Sequence, residues 1–172
     1  MKCGKGINIS PYSCIIYTLY MNIVKNINQY DENNIYFSDP IKNNVIIDGT
    51  FTRIIYSTPI FILNGISLLI PLNDIYIEKY YNKYKCSFNV NTHLELIESI
   101  KSIEENILKI VNIKNKIPQF KVSSQLKNGN IKFFLENIDK ITNNLFILKI
   151  SGIWETATQY GVTYKFLKIN HL

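Results

Sequence analysis

The sequence predicts a mainly β fold with one main helix, and three observations carry that expectation. Short β-branched and aromatic runs, bounded by Asp-Gly, Asn-Gly and Pro signals, fill most of the chain. Only Leu94 to Val111 repeats its apolar residues at spacings of three and four. Strands precede and follow that helix, without the βαβ alternation of a parallel sheet.

Thr50 to Ser57 reads as a strand between Asp48-Gly49 and Thr58-Pro59. Ile60 to Leu63 and Ile66 to Ile70 flank Asn64-Gly65, which predicts a type I′ hairpin stopped by Pro71. Lys83 to Asn89 is a further strand. The helix over 94–111 lines up Leu94, Ile97, Ile100, Ile103, Ile107, Leu108 and Val111 on one face. Thr92 with Glu95 predicts a capping box, and Pro118 follows its end. Glu98, Lys101, Glu104, Glu105 and Lys109 form a solvated opposite face, with partner binding as the rival reading. Asn128-Gly129 between Phe120–Lys127 and Ile131–Leu135 predicts a second hairpin. Leu145 to Trp154 and Gly161 to Lys168 predict a closing antiparallel pair. In it Phe146, Leu148, Ile150 and Trp154 share one face and Lys149 and Ser151 the other, while Val162, Tyr164 and Phe166 oppose Thr163 and Lys165. A helix after the third main strand and before the closing strands is the order of an OB-fold-like Greek-key barrel, with a β-sandwich carrying a helical insertion as the alternative.

A chain of 172 residues is expected to form one domain, with 1–32 as an N-terminal extension and 33–172 as a single β-rich, OB-like unit. Lys2 and Lys5 before the apolar run Tyr12 to Val24 resemble a signal peptide, but Ser13, Thr18 and Asn22 interrupt the run and no small-residue cleavage site follows. The run is also too short to span a membrane. Met21 offers an alternative start, which would make residues 1–20 dispensable. The 32 Ile, 22 Asn, 18 Lys and 12 Tyr against single Arg and Ala residues follow A+T-rich codons. A microbe, a parasite or a large DNA virus fits that bias, which scatters lysines over any surface. Cys3, Cys14 and Cys86 leave an odd cysteine and no C-x-x-C spacing, so neither a disulfide framework nor a zinc site is expected, and a reducing intracellular compartment is.

The catalytic inventory is thin. His93 and His171 lie far apart, and Cys3-Gly4-Lys5-Gly6 lacks the strand and helix of a phosphate loop. No G-x-S-x-G elbow occurs. Asp31, Glu32, Asp39, Asp48 and Asp74 suit turns and caps, although folding could bring carboxylates together around a metal. No enzyme activity, cofactor or metal is therefore expected.

Charge is more informative. Residues 1–112 are neutral, ten basic against ten acidic, whereas 113–172 hold nine lysines against Glu136, Asp139 and Glu155, which accounts for the whole formal net charge of +6. The outward face of the closing strands would present Lys149, Ser151, Thr163 and Lys165, joined by Lys132 and Phe134, while Arg53 shares a side with Phe51. Lysines neutralise phosphates and exposed rings stack bases, so Phe51, Arg53, Lys132, Phe134, Lys149 and Lys165 are the candidate nucleic-acid-binding residues. The alternative places Phe51 and Phe134 in the core. Trp154 is read as a core anchor. Tyr76, Tyr80, Tyr81 and Tyr84 among charges suit a protein interface instead.

The runs Leu145-Phe-Ile-Leu-Lys-Ile-Ser-Gly-Ile-Trp-Glu155, Tyr160-Gly-Val-Thr-Tyr-Lys-Phe166, Gly49-Thr-Phe-Thr-Arg-Ile-Ile-Tyr-Ser57 and Leu63-Asn-Gly65 resemble small proteins of large DNA viruses with A+T-rich genomes. Some of these are similar to OB-fold single-stranded DNA-binding proteins of the phage replication type. The resemblance covers about Asn33 to Lys168 and implies non-catalytic binding of single-stranded DNA in viral DNA replication or repair, in the host cytoplasm or nucleus. It transfers no functional residue. Phage-type proteins end in an acidic tail, whereas this chain ends Lys168-Ile-Asn-His-Leu172, which removes support for tail-mediated recruitment of replication enzymes. Further expected partners are a second copy and viral replication or structural proteins, with no membrane. A virion structural or assembly protein is the alternative function.

Overall fold

A long antiparallel pair, β10 (Leu145–Glu155) and β11 (Gln159–Lys168), forms the spine of the computed structural model, which describes residues 23–134 and 144–169. The expectations for the N-terminal run, Met21, Cys3, Cys14 and His171 lie outside those residues. Before the spine come β1 (Ile35–Phe37), β2 (Ile41–Lys42), β3 (Thr50–Ser57), β4 (Ile62–Asn64), β5 (Ile66–Pro71), β6 (Tyr76–Tyr80) and β7 (Lys83–Ser87). Helix α1 (Leu94–Val111), β8 (Ile117–Gln119), α2 (Lys121–Lys127) and β9 (Asn130–Phe134) complete the order. Lys25, Ile27 and Tyr30, within the segment assigned to an extension, also pack on this unit, Lys25 bridging Leu68.

The fold is mainly β with one main helix, as the patterning predicts, but the sheet is open. Its path runs β1-β3-β10-β11-β9-β7-β6, and among the described residues no register joins β6 back to β1. The barrel closure expected of an OB-fold is therefore not seen. Two partners share one side of β10, β5 against Leu145–Ile150 and β3 against Gly152–Glu155. The handover falls at a bulge at Ser151, which shifts the β10–β11 register between Ile150 and Gly152. An extra residue reverses the alternation beyond it. Ile153, 1% exposed, takes the core side, and Trp154 turns away from Phe146, Leu148 and Ile150.

Both Asn-Gly expectations need correction. β4 pairs with β3 and β5 with β10, so Asn64-Gly65 is a corner between two partners and no hairpin turn. Gly65 has φ +85°, and a Cβ there would lie 2.5 Å from the Ile150 carbonyl oxygen. The true hairpin is β3–β4, whose turn is held by the Thr58 hydroxyl oxygen accepting from the Ile60 and Phe61 N–H groups. Residues 121–127 are helical: Val122 and Leu126, one helical turn apart, are both fully buried, and Gly129 at φ +65° ends the helix by donating to the Leu126 carbonyl.

Helix α1 spans the residues its periodicity predicts and lays Ile97, Ile100, Ile103, Ile107 and Leu108 on the sheet. There they meet Leu68, Phe133, Phe146, Leu148 and Phe166 in one core. Each fully buried aliphatic side chain contributes about 1.5–3 kcal/mol. The expected Thr92–Glu95 box does not form. A 3-10 turn precedes α1, the Asn89 side chain accepts from the Asn91 N–H, and the Thr92 hydroxyl donates to the Asn89 carbonyl.

Candidate nucleic-acid interface

Helix α1 covers one face of the sheet, and lysines line up across the other. Residues directly opposite each other on paired strands point to the same face. Ser67 on β5 faces Lys149 on β10, which faces Lys165 on β11. The parallel register that sets Phe166 beside Phe133 sets Lys165 beside Lys132 one residue earlier. Lys132 faces Lys85, and Lys85 faces Glu78. With strands about 4.8 Å apart, the four lysines span about 14 Å from β10 to β7. Only Lys85 has a carboxylate partner among the described residues, Glu78 at 3.0 Å.

Two residues along each strand, Leu69, Ile147, Leu167, Phe134, Lys83 and Tyr80 form a parallel second row. Phe134 is 60% exposed, so the core reading of that ring fails. Lys83 Nζ lies 4.8 Å from its centroid, and Lys132 Nζ lies 4.2 Å from that of Tyr80. Cation and ring are thus interleaved, as stacking of an anionic strand requires.

Beyond the bulge the face continues through Arg53 and Thr163, which flank Gly152, to Phe51 and Gly161, which flank Trp154. Both glycines seat rings. A Cβ on Gly152 would come within 2.5 Å of the Phe51 ring, and one on Gly161 within 2.8 Å of the Trp154 ring. Trp154 is buried without joining the core cluster, and Lys121 Nζ sits 4.5 Å from its ring centroid. The ring is buried, as expected of an anchor, but it lies outside the main cluster, because the bulge turns it from the face of Phe146, Leu148 and Ile150 to the lysine-bearing face.

Helix α2, whose Val122 and Leu126 lie in the core, forms one wall of a groove at the outer edge of β11. On the outer edge of β11, β8 pairs with Gln159–Gly161 and β9 with Phe166–Leu167, and the chain between them makes the α2 excursion. A cavity of about 680 Å³ lies there, with Lys83, Lys121, Lys132, Lys165, Gln125 and Phe134 among its lining. No described lining residue is Asp or Glu. A second cavity of about 680 Å³ shares Lys121 and Tyr164 and reaches Phe51 and Trp154. Holding α2 in place is Glu104, read as solvated from its spacing but 0% exposed. Its carboxylate accepts from the Val122 N–H at 3.0 Å and the Ser123 N–H at 2.9 Å, two donors of the first helical turn. Burial, then the Glu104 charge, pushes the Tyr164 phenol up to about 12.

The six candidates therefore fall on one face. Lys132, Phe134 and Lys165 line the first groove, Phe51 lines the second, Lys149 sits across from Lys165, and Arg53 is exposed beside Gly152. The C-terminal lysines converge in part. Lys116 pairs with Glu155 at 2.5 Å, Lys127 with Glu98 at 3.5 Å, and Lys168 packs over Phe146, where burial lowers its pKa. Sequence reasoning missed Lys83, Lys85 and Lys121. The first two come from the charge-neutral part of the chain and gave no signal there, and the third lies in the misread hairpin.

Other groups have structural roles. Asp31 accepts from the Asn33 N–H, and Asp48 and Asp74 occupy positive-φ positions. His93 is buried, its Nε2 accepting from the Asn73 N–H and its Nδ1 lying 2.8 Å from the Asn89 carbonyl, a set that fits the neutral ring. Burial pushes the Cys86 thiol up to about 12. Among the described residues no three His, Cys, Asp or Glu side chains gather as a metal site, and no helix is long and apolar enough to cross a membrane. Comparison of the chain with protein-family models, with curated proteins and with solved structures gives no match.

Proposed function

We propose that the protein binds single-stranded DNA without catalysis, the strand lying along the lysine-bearing face. The carrying observation is the row Lys149, Lys165, Lys132 and Lys85, in which three adjacent ammonium groups lack a carboxylate among the described residues. Like charges set directly opposite destabilise a sheet, and a polyanion removes that repulsion. The neighbouring Phe134 and Tyr80 rings add stacking worth about 1–3 kcal/mol per base, which favours unpaired strands over duplex. A role in viral DNA replication or repair is the setting that the resemblance to proteins of large DNA viruses implies.

Fluorescence anisotropy with a labelled oligonucleotide tests this. Affinity should fall steeply with salt, and Lys132→Ala and Lys165→Ala should each weaken binding and reduce the salt slope by about one. Absent or salt-independent binding would sink the proposal. A second reading, a virion structural or assembly protein, draws on other residues: Tyr76 and Tyr81 on the β6–β7 hairpin and Val45 and Ile47 on the loop after β2, all strongly exposed. Light scattering on the same samples separates the two, because assembly without oligonucleotide supports only the second.

A further inference from the structure

We propose that the second cavity, which Trp154 lines, is a stacking site for one base of the bound strand, and that Lys121 leaves the Trp154 ring for a phosphate when the base enters. This rests on the single-strand reading above and deepens it, adding a site that accepts a base of any kind.

The Ser151 bulge turns Trp154 onto the lysine-bearing face, where its ring packs against Gly161, its cross-strand neighbour. Lys121 Nζ stands 4.5 Å from the ring centroid. With the lysine there Trp154 is 9% exposed, and the ammonium holds the place a stacked base would take. Lys121 is itself exposed, pairs with no carboxylate among the described residues and borders both cavities. A turn toward the first groove brings its ammonium to Lys132 and Lys165. Like charge opposes that turn in the free protein, and a phosphate among the three reverses the balance. A stacked base is worth more than an exposed cation–π contact, so the exchange then runs toward the base. The rest of the cavity suits a base whatever its edge. Ile41, Val45, Ile46, Phe51 and Val162 give it apolar walls, Lys42 adds a second cation, and no described Asp or Glu lines it. Its volume of about 680 Å³ is that of a small-ligand site. Gly161, beneath the ring, lies four residues along β11 from Lys165, about 13 Å, so one strand can reach both cavities.

Trp154 is the one tryptophan of the chain, so tryptophan emission reports on this site alone. The experiment titrates the full chain with oligo-dT and with an abasic strand of the same length, following emission and anisotropy together at several salt concentrations. Both strands carry phosphates, and only the first has bases to stack. Oligo-dT should quench the emission in step with the anisotropy, whereas the abasic strand should bind more weakly and leave it unquenched. In Trp154→Leu the advantage of oligo-dT over the abasic strand should narrow about tenfold, the worth of one stacked base. Lys121→Ala keeps the ring, so quenching by oligo-dT should persist while the salt slope falls by about one. Circular dichroism checks that each variant is folded, and if Trp154→Leu is not, the emission titration and Lys121→Ala decide. Emission that stays constant while oligo-dT binds, equal quenching by the abasic strand, an advantage that does not narrow in folded Trp154→Leu, or an unchanged salt slope in Lys121→Ala would overturn the exchange and leave the single-strand reading standing. Absence of salt-dependent binding to both strands would overturn both proposals.

Discussion

Glu104 shows how one side chain can set a site it does not touch. It is sealed from solvent and accepts two backbone N–H groups of α2, the helix that contributes Lys121 and Gln125 to the basic groove. Removing the carboxylate orphans two buried donors, each costing about 1–3 kcal/mol. Glu104→Ala should therefore lower unfolding stability by about 3 kcal/mol in urea titrations, with Glu104→Gln losing less because one oxygen remains. A loss within about 0.5 kcal/mol would show that α2 is held by Val122 and Leu126 alone. Helical spacing placed Glu104 among solvated charges because it sees one helix at a time. The burial comes from α2, which the Asn128-Gly129 signal had concealed as a strand.

At the scale of elements, strand alternation was legible and strand pairing was not. The opposed sets Lys149 with Lys165 and Lys132 with Phe134 follow from a period of two, and the structure keeps them on one face. Whether these strands adjoin depends on register, and β9 joins β11 in parallel, which no turn signal announces. The Ser151 bulge changed one further side, that of Trp154, since a single extra residue is invisible to a period count. The lysine row carries its own cost. Lys165 stands between Lys149 and Lys132, so Lys165→Thr, which suits a strand and removes the repulsion, should stabilise the fold by about 0.2–1 kcal/mol at low salt. The gain should vanish at 1 M salt, where the screening length is about 3 Å. Denaturant melts at the two ionic strengths check it, and destabilisation at low salt would mean that Lys165 has a favourable partner after all.

For the whole molecule, pH stability follows from its buried acids. Burial pushes the Cys86 thiol and the Tyr164 phenol each up to about 12, and Tyr30 also rises, again chiefly from burial. A folded value above the unfolded one, about 8.5 for a thiol and about 10 for a phenol, means stability complete below the unfolded value and lost as pH climbs toward the folded one. Lys168, lowered by burial, has the opposite sign and offsets part of the loss. The melting temperature should hold steady near neutrality and fall from about pH 9 toward 12, less steeply in Tyr164→Phe, while an unchanged melting temperature at pH 11 would contradict the burial of these groups. What the amino-acid sequence determined by itself was local: the β patterning, the span of α1, and the alternation that groups the lysines, all consequences of short-range periodicity. The tertiary structure alone decided which strands meet, that the sheet stays open, and that Lys83, Lys85 and Lys121 from distant segments join Lys132, Lys149 and Lys165 on one face. Those outcomes depend on long-range register and on the packing of α2 against Glu104, which no local repeat encodes.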